Sequence, residues 1–468
     1  MSRFSLVYLG SFFLLVSILS FFNIIYSYYF NLYLNVDNYI YTLILSLIVG
    51  SLFVFRKRDE TKISIFNKIF IVILGYIILP LIISIPYYLS IYNISFLDCY
   101  FESISGFTST GFSIFDNVKH LDQSLILWRS TSQWIGGLYF LFSIILLIDV
   151  FDNNLKKSLT YFLSFNTSET LKQSLKVLIL YSFLTFVIFI ILKIIDLRTF
   201  DAFNFSLTLI SSGGFLPLNN LESILNSDFK KTIFSLTMLI SFFSIFLSYN
   251  LFFFKNKNLN VFSEDFYLLI YFLFLLLFFF IFFNYDNDFA SLLFSITSSI
   301  SNIGISTNKS TSDLYFVFLI LVIIGGSFFS TSSGIRFLKI FSLIKFSFND
   351  LLSHSKPKHI LLSKITFNEK KIEQSDIKKY FLSVIMFIIS LLLICFLLTI
   401  SNNDIVDSFK LGILTIMNTV NSSIYGLENF DFQNIDNFSK LVLIIFMIIG
   451  RVELLTVLIL AKKFLFKN

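Results

Sequence analysis

The residues of this chain best suited to chemistry are four short polar segments set in apolar sequence, roughly a hundred residues apart. They read Ser109-Thr110-Gly111-Phe112, Ser212-Gly213-Gly214-Phe215, Asn302-Ile303-Gly304-Ile305 and Ser422-Ser423-Ile424-Tyr425. Each begins with a small polar residue and ends with a large apolar or aromatic one, and three carry glycine in third place. The spacing is too irregular for a solenoid but suits four fused copies of one unit. One such loop is ordinary turn chemistry, since glycine supplies a positive φ wherever a chain bends. Four of them, each ending a short amphipathic segment between two spanning helices, fit a cation selectivity filter. There, rings of backbone carbonyls replace the hydration shell of the ion.

Two other features bear on such a path. The run from Gly325-Gly326 through Ser333-Gly334 interrupts a helix that is apolar on both sides. A broken helix is tolerated at membrane depth where it lines a cavity, which makes these residues gate candidates. The alternatives are close helix packing through small residues and a phosphate loop, although the Gly-Lys-Ser/Thr ending of the latter is missing. Arg451 lies well inside an apolar helix. An unpaired charge there costs at least about 2.5–3.5 kcal/mol, so it is expected to face a wet interior and to have a partner. Glu453 lies on a different helix face and is a poor intrahelical partner; the alternative to a role in the pore is an arginine bonded to loop carbonyls for structure alone, and both readings can hold together. His120, His354 and His359 are scattered, and no paired-carboxylate, Ser/His/Asp or metal-ligand arrangement stands out, so an enzyme is not expected.

The elements that must position these residues follow from composition. A 468-residue chain that is 56% hydrophobic, with 65 Phe and only 14% charged residues, belongs in a membrane. Its apolar runs reach the about 20 residues that span hydrocarbon and lack strand alternation, so they read as helices. The expected fold is all-α and integral to the membrane: four fused helix–pore loop–helix repeats around a central pore, preceded by a two-helix hairpin. The boundaries read as hairpin 1–58, repeats 59–153, 154–258 and 259–346, a cytoplasmic connector 347–377, and a fourth repeat 378–468. Within them the half-helices are expected at about 96–108, 200–211, 288–301 and 405–420.

A half-helix ending in mid-membrane points its partly negative C-terminus at whatever lies beyond, and four such ends favour a cation. Asp98 and Asp201 sit at the starts of their half-helices, suiting the positive end of the dipole or simply capping it. The formal charge of +6 does not indicate nucleic acid, because Lys and Arg cluster in short segments between apolar runs. Arg56, Lys57, Arg58, Lys62 and Lys68 precede the first repeat, and Lys156, Lys157, Lys172 and Lys176 the second. Lys255 and Lys257 precede the third, and ten Lys or Arg lie between Arg336 and Lys379. The segments after the loops carry mainly Asp and Glu. Basic segments stay cytoplasmic, so the loops are expected to face outside and both termini inside. Cys99 and Cys395 read as buried free thiols.

The run Phe101-Glu102-Ser103-Ile104-Ser105-Gly106-Phe107-Thr108-Ser109-Thr110-Gly111-Phe112-Ser113 resembles the first pore loop of the Trk/Ktr/HKT superfamily of potassium transporters, closest to its Trk branch. Trp128-Arg129-Ser130 with Gln133-Trp134-Ile135-Gly136-Gly137 resembles the following helix of that family. The Gly325–Arg336 run resembles its intramembrane gating loop, and Gly450-Arg451-Val452-Glu453-Leu454-Leu455-Thr456 its last pore-lining helix. The resemblance implies potassium uptake across a bacterial cytoplasmic membrane, with potassium held at Thr110, Gly111, Gly213, Gly214, Ile303, Gly304, Ser423 and Ile424. It implies that Arg451 opposes cation passage below the filter. It also implies a homodimer with one pore per protomer, a cytoplasmic TrkA-like nucleotide-binding regulatory subunit, surrounding membrane lipid, and no covalent cofactor.

The fourth loop departs from the pattern. Ile424 stands where glycine is expected, and a β-branched residue resists positive φ. Either selectivity is relaxed, or Gly426 takes over after a local shift. The rival functions are sodium or weakly selective cation transport, and a non-conducting membrane scaffold of the same fold.

Overall fold

The computed structural model describes residues 3–55, 64–147, 170–219, 221–248, 263–282, 289–307, 314–355, 374–428 and 430–452. Helices Arg3–Tyr29 and Val36–Val54 form the leading hairpin. Each of four repeats then has an outer helix, a half-helix and an inner helix. The outer helices are Ile65–Ile83, Thr170–Ile194, Ser263–Phe282 and Gln374–Ile400. In the first, the chain breaks at Ser84 and resumes as Ile85–Tyr88, with Pro86 in the opening turn, where its missing N–H costs nothing.

The half-helices are Phe96–Phe107, Thr199–Ile210, Phe289–Ile300 and Ile405–Ile416, each 12 residues long. At 1.5 Å per residue they reach about 18 Å, too little for a hydrocarbon core of about 30 Å. Ser95 caps the first, accepting from the Asp98 amide at 3.2 Å. Asp404 caps the fourth through the Val406 amide, also at 3.2 Å.

The inner helices are Gln123–Leu146, Asp228–Phe242, Tyr315–Ile323 and Asn437–Val452. Among the described residues, six helices are long and apolar enough to cross a membrane: the hairpin pair and the four outer helices. The inner helices differ in burial: those of repeats two to four leave Phe229, Ile320 and Ile445 exposed. Gln123–Leu146 is buried along nearly its whole length and can therefore carry Arg129 and Gln133. The result is an all-α membrane fold in which four half-helices are enclosed by longer ones.

Three helices differ from expectation. The inner helix of the second repeat, read from the sequence as continuous, is interrupted at Phe243 and Ser244 and is helical again over 245–248, where the described residues of that segment end. The third inner helix, read as interrupted at Gly325–Gly334, is broken between Ile323 and Phe337, and its second part runs on to Ser355, past the expected boundary at 346. Since the next helix begins at Gln374, the connector expected over 347–377 shrinks to lie within 356–373, outside the described residues. The fourth half-helix ends at Ile416 rather than 420. The boundaries at 58/59, 153/154 and 258/259, most of the basic clusters, and residues 453–468 also lie outside the described residues.

Candidate ion-conduction site

Two residues beyond the end of each half-helix, the backbone turns left-handed. Ser109, Ser212, Asn302 and Asn418 have φ of 57°, 57°, 59° and 48°. Their amides donate to the carbonyls three residues back: Gly106 at 2.9 Å, and Leu209, Ser299 and Thr415 at 3.2 Å. The next amides, of Thr110, Gly213, Ile303 and Thr419, donate five residues back, to Ser105, Thr208, Ser298 and Leu414, at 2.8–3.1 Å. Such a turn satisfies carbonyls that a helix end leaves open. It occurs in all four repeats with the same register.

That register corrects the fourth loop. The counterparts of Ser109-Thr110-Gly111 are Asn418-Thr419-Val420, four residues before Ser422-Ser423-Ile424. Ser423–Tyr425 instead forms a short 3-10 turn, with Ile424 and Tyr425 buried in the surrounding apolar core. Tyr425 donates to Ser299 Oγ at 3.3 Å. Gly426, at φ 66°, closes that turn, and its carbonyl accepts from Lys410 Nζ at 3.2 Å, so it does not take over a central position either. Ile424→Ala is expected to cost about 2–5 kcal/mol of stability as a large-to-small core change and to leave the cation preference of the folded protein unchanged. A shifted preference in flux assays would return Ile424 to the ring.

Side chains join the four turns to one another. Ser212 Oγ donates to the Ser301 carbonyl, linking loops two and three. Asn302 Nδ2 reaches Thr419 Oγ1 at 3.3 Å, and Asn418 Nδ2 reaches Thr110 Oγ1 at 3.0 Å, linking three to four and four to one. Loops one and two meet directly: a Cβ placed on Gly111 would lie 2.9 Å from Gly214 Cα. Thus Ser109 to Gly111, Ser212 to Gly214, Asn302 to Gly304 and Asn418 to Val420 form one closed, buried ring. Phe112, Phe215 and Ile305 pack outside it in the apolar core.

The ring alternates. Gly111 and Gly304 have φ of 88° and 80°, and their amides also donate six residues back, to Ser105 at 3.3 Å and Ser298 at 3.1 Å. Gly214 and Val420 lie outside the positive-φ region. A β-branched residue is therefore tolerated in loop four because that position does not demand the left-handed backbone.

A buried ion pair braces loops one and two from behind. Arg129 Nε donates to Glu102 Oε1 at 2.8 Å, and both side chains are at most 2% exposed. Glu102 Oε2 accepts from the Ile114 amide at 2.9 Å, and Arg129 Nη2 donates to Ser113 Oγ at 2.8 Å, so the pair grips the irregular segment leaving loop one. The Arg129 guanidinium also lies 4.2 Å from the ring centre of Phe215, the last residue of loop two. One turn on, Gln133 Oε1 accepts from the Phe215 amide at 3.3 Å. Gly136 and Gly137 follow because this helix crosses the half-helix ends: a Cβ on Gly136 would run into Phe107, and one on Gly137 would lie 2.9 Å from Ser211 Cα. Glu102→Ala leaves Arg129 uncompensated and is expected to cost about 3–5 kcal/mol. Thermal unfolding in detergent checks it, and an unmoved midpoint would show that the pair supports nothing.

The interruption between Ile323 and Phe337 lies against the inner helix of repeat two and the ends of the half-helices. Its ends pair as a two-residue parallel ladder, Ile324 with Ile335 and Gly325 with Arg336. Ser327 and Ser332 donate backbone bonds to Phe242 and Ser241, at 3.0 and 3.2 Å, satisfying carbonyls where the second inner helix is interrupted. Thr331 Oγ1 donates to the carbonyl of Ile210, the last residue of half-helix two, at 2.7 Å. Arg336 Nη1 holds the bend through Ser327 O, Ser330 Oγ and Ser332 O, at 3.0–3.2 Å. From the neighbouring helix, Glu264 accepts from the Phe328 amide at 3.0 Å, and Asp265 from the Ser244 amide at 2.9 Å.

Arg451 joins this segment to the ring. Its Nη1 donates to Ser333 Oγ, while Nη2 lies 3.4 Å from Ser109 Oγ and 3.5 Å from the Ser211 carbonyl. The guanidinium sits 4.1 Å from the ring centre of Phe140, which Arg336 approaches at 5.1 Å. A cation is thus fixed at the negative ends of half-helices one and two, where the helix dipoles welcome positive charge. Reading the sequence alone missed Asn418, Thr419 and Val420, the Glu102–Arg129 brace, and the roles of Arg336 and Phe140. Charged residues inside the apolar runs at 102, 129 and 336 were the available signal for three of these. Among the described residues, no group of His, Cys, Asp or Glu is placed to hold a metal ion; the donors that the ring offers are backbone carbonyls and hydroxyls.

Comparison with known proteins identifies the architecture. The family described as "TrkH: Cation transport protein" matches residues 36–255 and 311–467. The chain is similar to the Trk system potassium uptake protein TrkG of Escherichia coli, with 24% identity over 88% of each chain. An uncharacterized cation transporter of Methanocaldococcus jannaschii is also 24% identical, over 89% of this chain and 86% of that one. The crystal structure of the potassium transporter TrkH from Vibrio parahaemolyticus shares the fold, with a TM-score of 0.82, 21% identity and 98% coverage of both chains. The chain belongs to the TrkH family of cation transport proteins, a family of multi-pass membrane transporters rather than of enzymes.

Proposed function

We propose that this protein takes up potassium across a bacterial cytoplasmic membrane, through a filter made by the ring at Ser109–Gly111, Ser212–Gly214, Asn302–Gly304 and Asn418–Val420. The observation that carries the reading is the same helix-ending turn in four repeats, meeting in one ring. Half-helix C-termini direct partial negative charge at the centre, and carbonyls of the ring replace hydration water. The names of two relatives, TrkG and TrkH, as potassium uptake proteins support the choice of ion. Asp116, Asp122, Glu222, Asp228, Asp313, Glu428, Asp431 and Asp436 follow the loops in sequence and would concentrate cations at an outer mouth.

Gating belongs to the bent segment Gly325–Gly334 and Arg451. Movement of the segment carries Ser333 with it, and Arg451 then gains or loses its hold below loops one and two. A homodimer and a cytoplasmic TrkA-like nucleotide-binding subunit complete the proposal, with both termini cytoplasmic; the basic segments between repeats support that orientation. Val420 in place of a fourth glycine favours a second reading, sodium or weakly selective cation transport.

Expression in cells starved of potassium tests the proposal. Growth on low potassium, abolished by variants of the ring, is the expected result. Absence of rescue together with absence of cation flux in vesicles would leave a non-conducting scaffold. Competition by sodium would favour the weakly selective reading.

A further inference from the structure

Val420 is the one bulky side chain at the third position of the four turns. A Cβ on Gly111 would lie 3.0 Å from Val420 Cβ, one on Gly214 would lie 2.7 Å from Val420 Cγ1, and one on Gly304 would lie 3.1 Å from the same methyl. The isopropyl group thus lies in the space onto which all three glycines open, although at Gly304 the Thr419 methyl and the Val420 carbonyl, each at 2.7 Å, are closer still. It cannot withdraw cheaply, because two heavy atoms on Cβ restrict χ1 and the residue is 9% exposed. Its methyl groups offer a cation no lone pair, so they act only as a wall.

From this contact we infer that Val420 sets the bore of the conduction path and hence the largest monovalent cation that it passes. The inference rests on the ring being the filter, as proposed above. Three glycines present their backbones freely, and the fourth quadrant is narrowed by a rigid apolar group. Small ions that shed water onto the glycine carbonyls pass beside it, and larger ones are held back by the methyl groups.

The test is caesium flux relative to potassium flux in vesicles reconstituted with the full-length protein, measured per folded molecule as judged by size-exclusion elution. Val420→Ala removes both methyls and is expected to raise the caesium-to-potassium ratio on the order of tenfold, the effect of about 1.4 kcal/mol on a barrier. Val420→Ile adds a methylene and is expected to lower the ratio. Val420→Thr keeps the branched shape and is expected to keep the wild-type ratio, although absolute flux changes with its hydroxyl. If Val420 merely packs the loops together, Val420→Ala and Val420→Ile change both fluxes in proportion and leave the ratio fixed, which overturns the inference. Should Val420→Ala not elute as folded protein, the fall expected for Val420→Ile decides alone. Wild-type vesicles passing neither ion would overturn the transport reading, and the inference with it; a conducting wild type whose ratio no variant moves overturns the inference only.

Discussion

Gly111→Val is expected to abolish cation flux while leaving a folded protein in the membrane. Gly111 has φ 88°, where a β-branched residue is a true outlier. Holding a side chain there costs about 1–3 kcal/mol in backbone strain. Space adds to this, since the new Cβ would meet Gly214 Cα at 2.9 Å and Val420 Cβ at 3.0 Å. Loop one must therefore shift, and its carbonyls leave the ring. At about tenfold in rate per 1.4 kcal/mol, a loss of even about 3 kcal/mol in coordination cuts flux roughly a hundredfold. Gly214→Ala separates the two causes. Its backbone is unstrained, so only the clash with Val420 remains, and pairing it with Val420→Gly should restore flux. Radiotracer uptake into vesicles checks both, and a Gly111→Val protein with wild-type flux and ion preference would remove loop one from the filter.

Arg451→Ala is expected to raise flux per folded protein several-fold. The guanidinium is held against Ser333 and close to Ser109 and the Ser211 carbonyl, under the ring where ions would leave it. At an effective dielectric of about 20, a unit charge at about 5 Å repels a cation by roughly 3 kcal/mol. A fraction of that is enough for a several-fold change, since about 1.4 kcal/mol is tenfold in rate. The rival outcome follows from the same contacts. Should Arg451 mainly tie the Gly325–Gly334 segment to the half-helix ends, its loss gives unstable protein and lower flux. Arg451→Lys helps to decide: it keeps the charge but not the forked donor geometry, so a barrier survives it and a multi-point tether does not.

The architecture was readable in the sequence because apolar runs announce spanning helices and glycines announce where half-helices stop. Loops one to three carried that mark at Gly111, Gly214 and Gly304. Loop four did not. Its half-helix ends at Ile416 with no glycine beyond it until Gly426, and the stop is Asn418, a residue that enters the left-handed region without needing glycine. The missed cue was length: had the fourth half-helix been held to twelve residues like the others, Asn418 would have fallen two places past its end. The break after Phe242 was illegible for another reason. Its open carbonyls are satisfied by Ser327 and Ser332, more than eighty residues away, and no local signal announces a partner that distant. The Glu102–Arg129 pair was visible only as two charges in apolar sequence. Nothing in a spacing of 27 residues says that they meet.

The central claim is that one ring, built from Ser109–Gly111, Ser212–Gly214, Asn302–Gly304 and Asn418–Val420, coordinates the transported cation. Anomalous diffraction from crystals soaked in thallium, an electron-rich monovalent substitute for potassium, tests it most directly. The expected result is an anomalous peak inside that ring, in contact with carbonyl oxygens from more than two loops and lost in Gly111→Val. An empty ring in protein that still transports thallium, or a peak seated instead against Ser422–Tyr425, would contradict it.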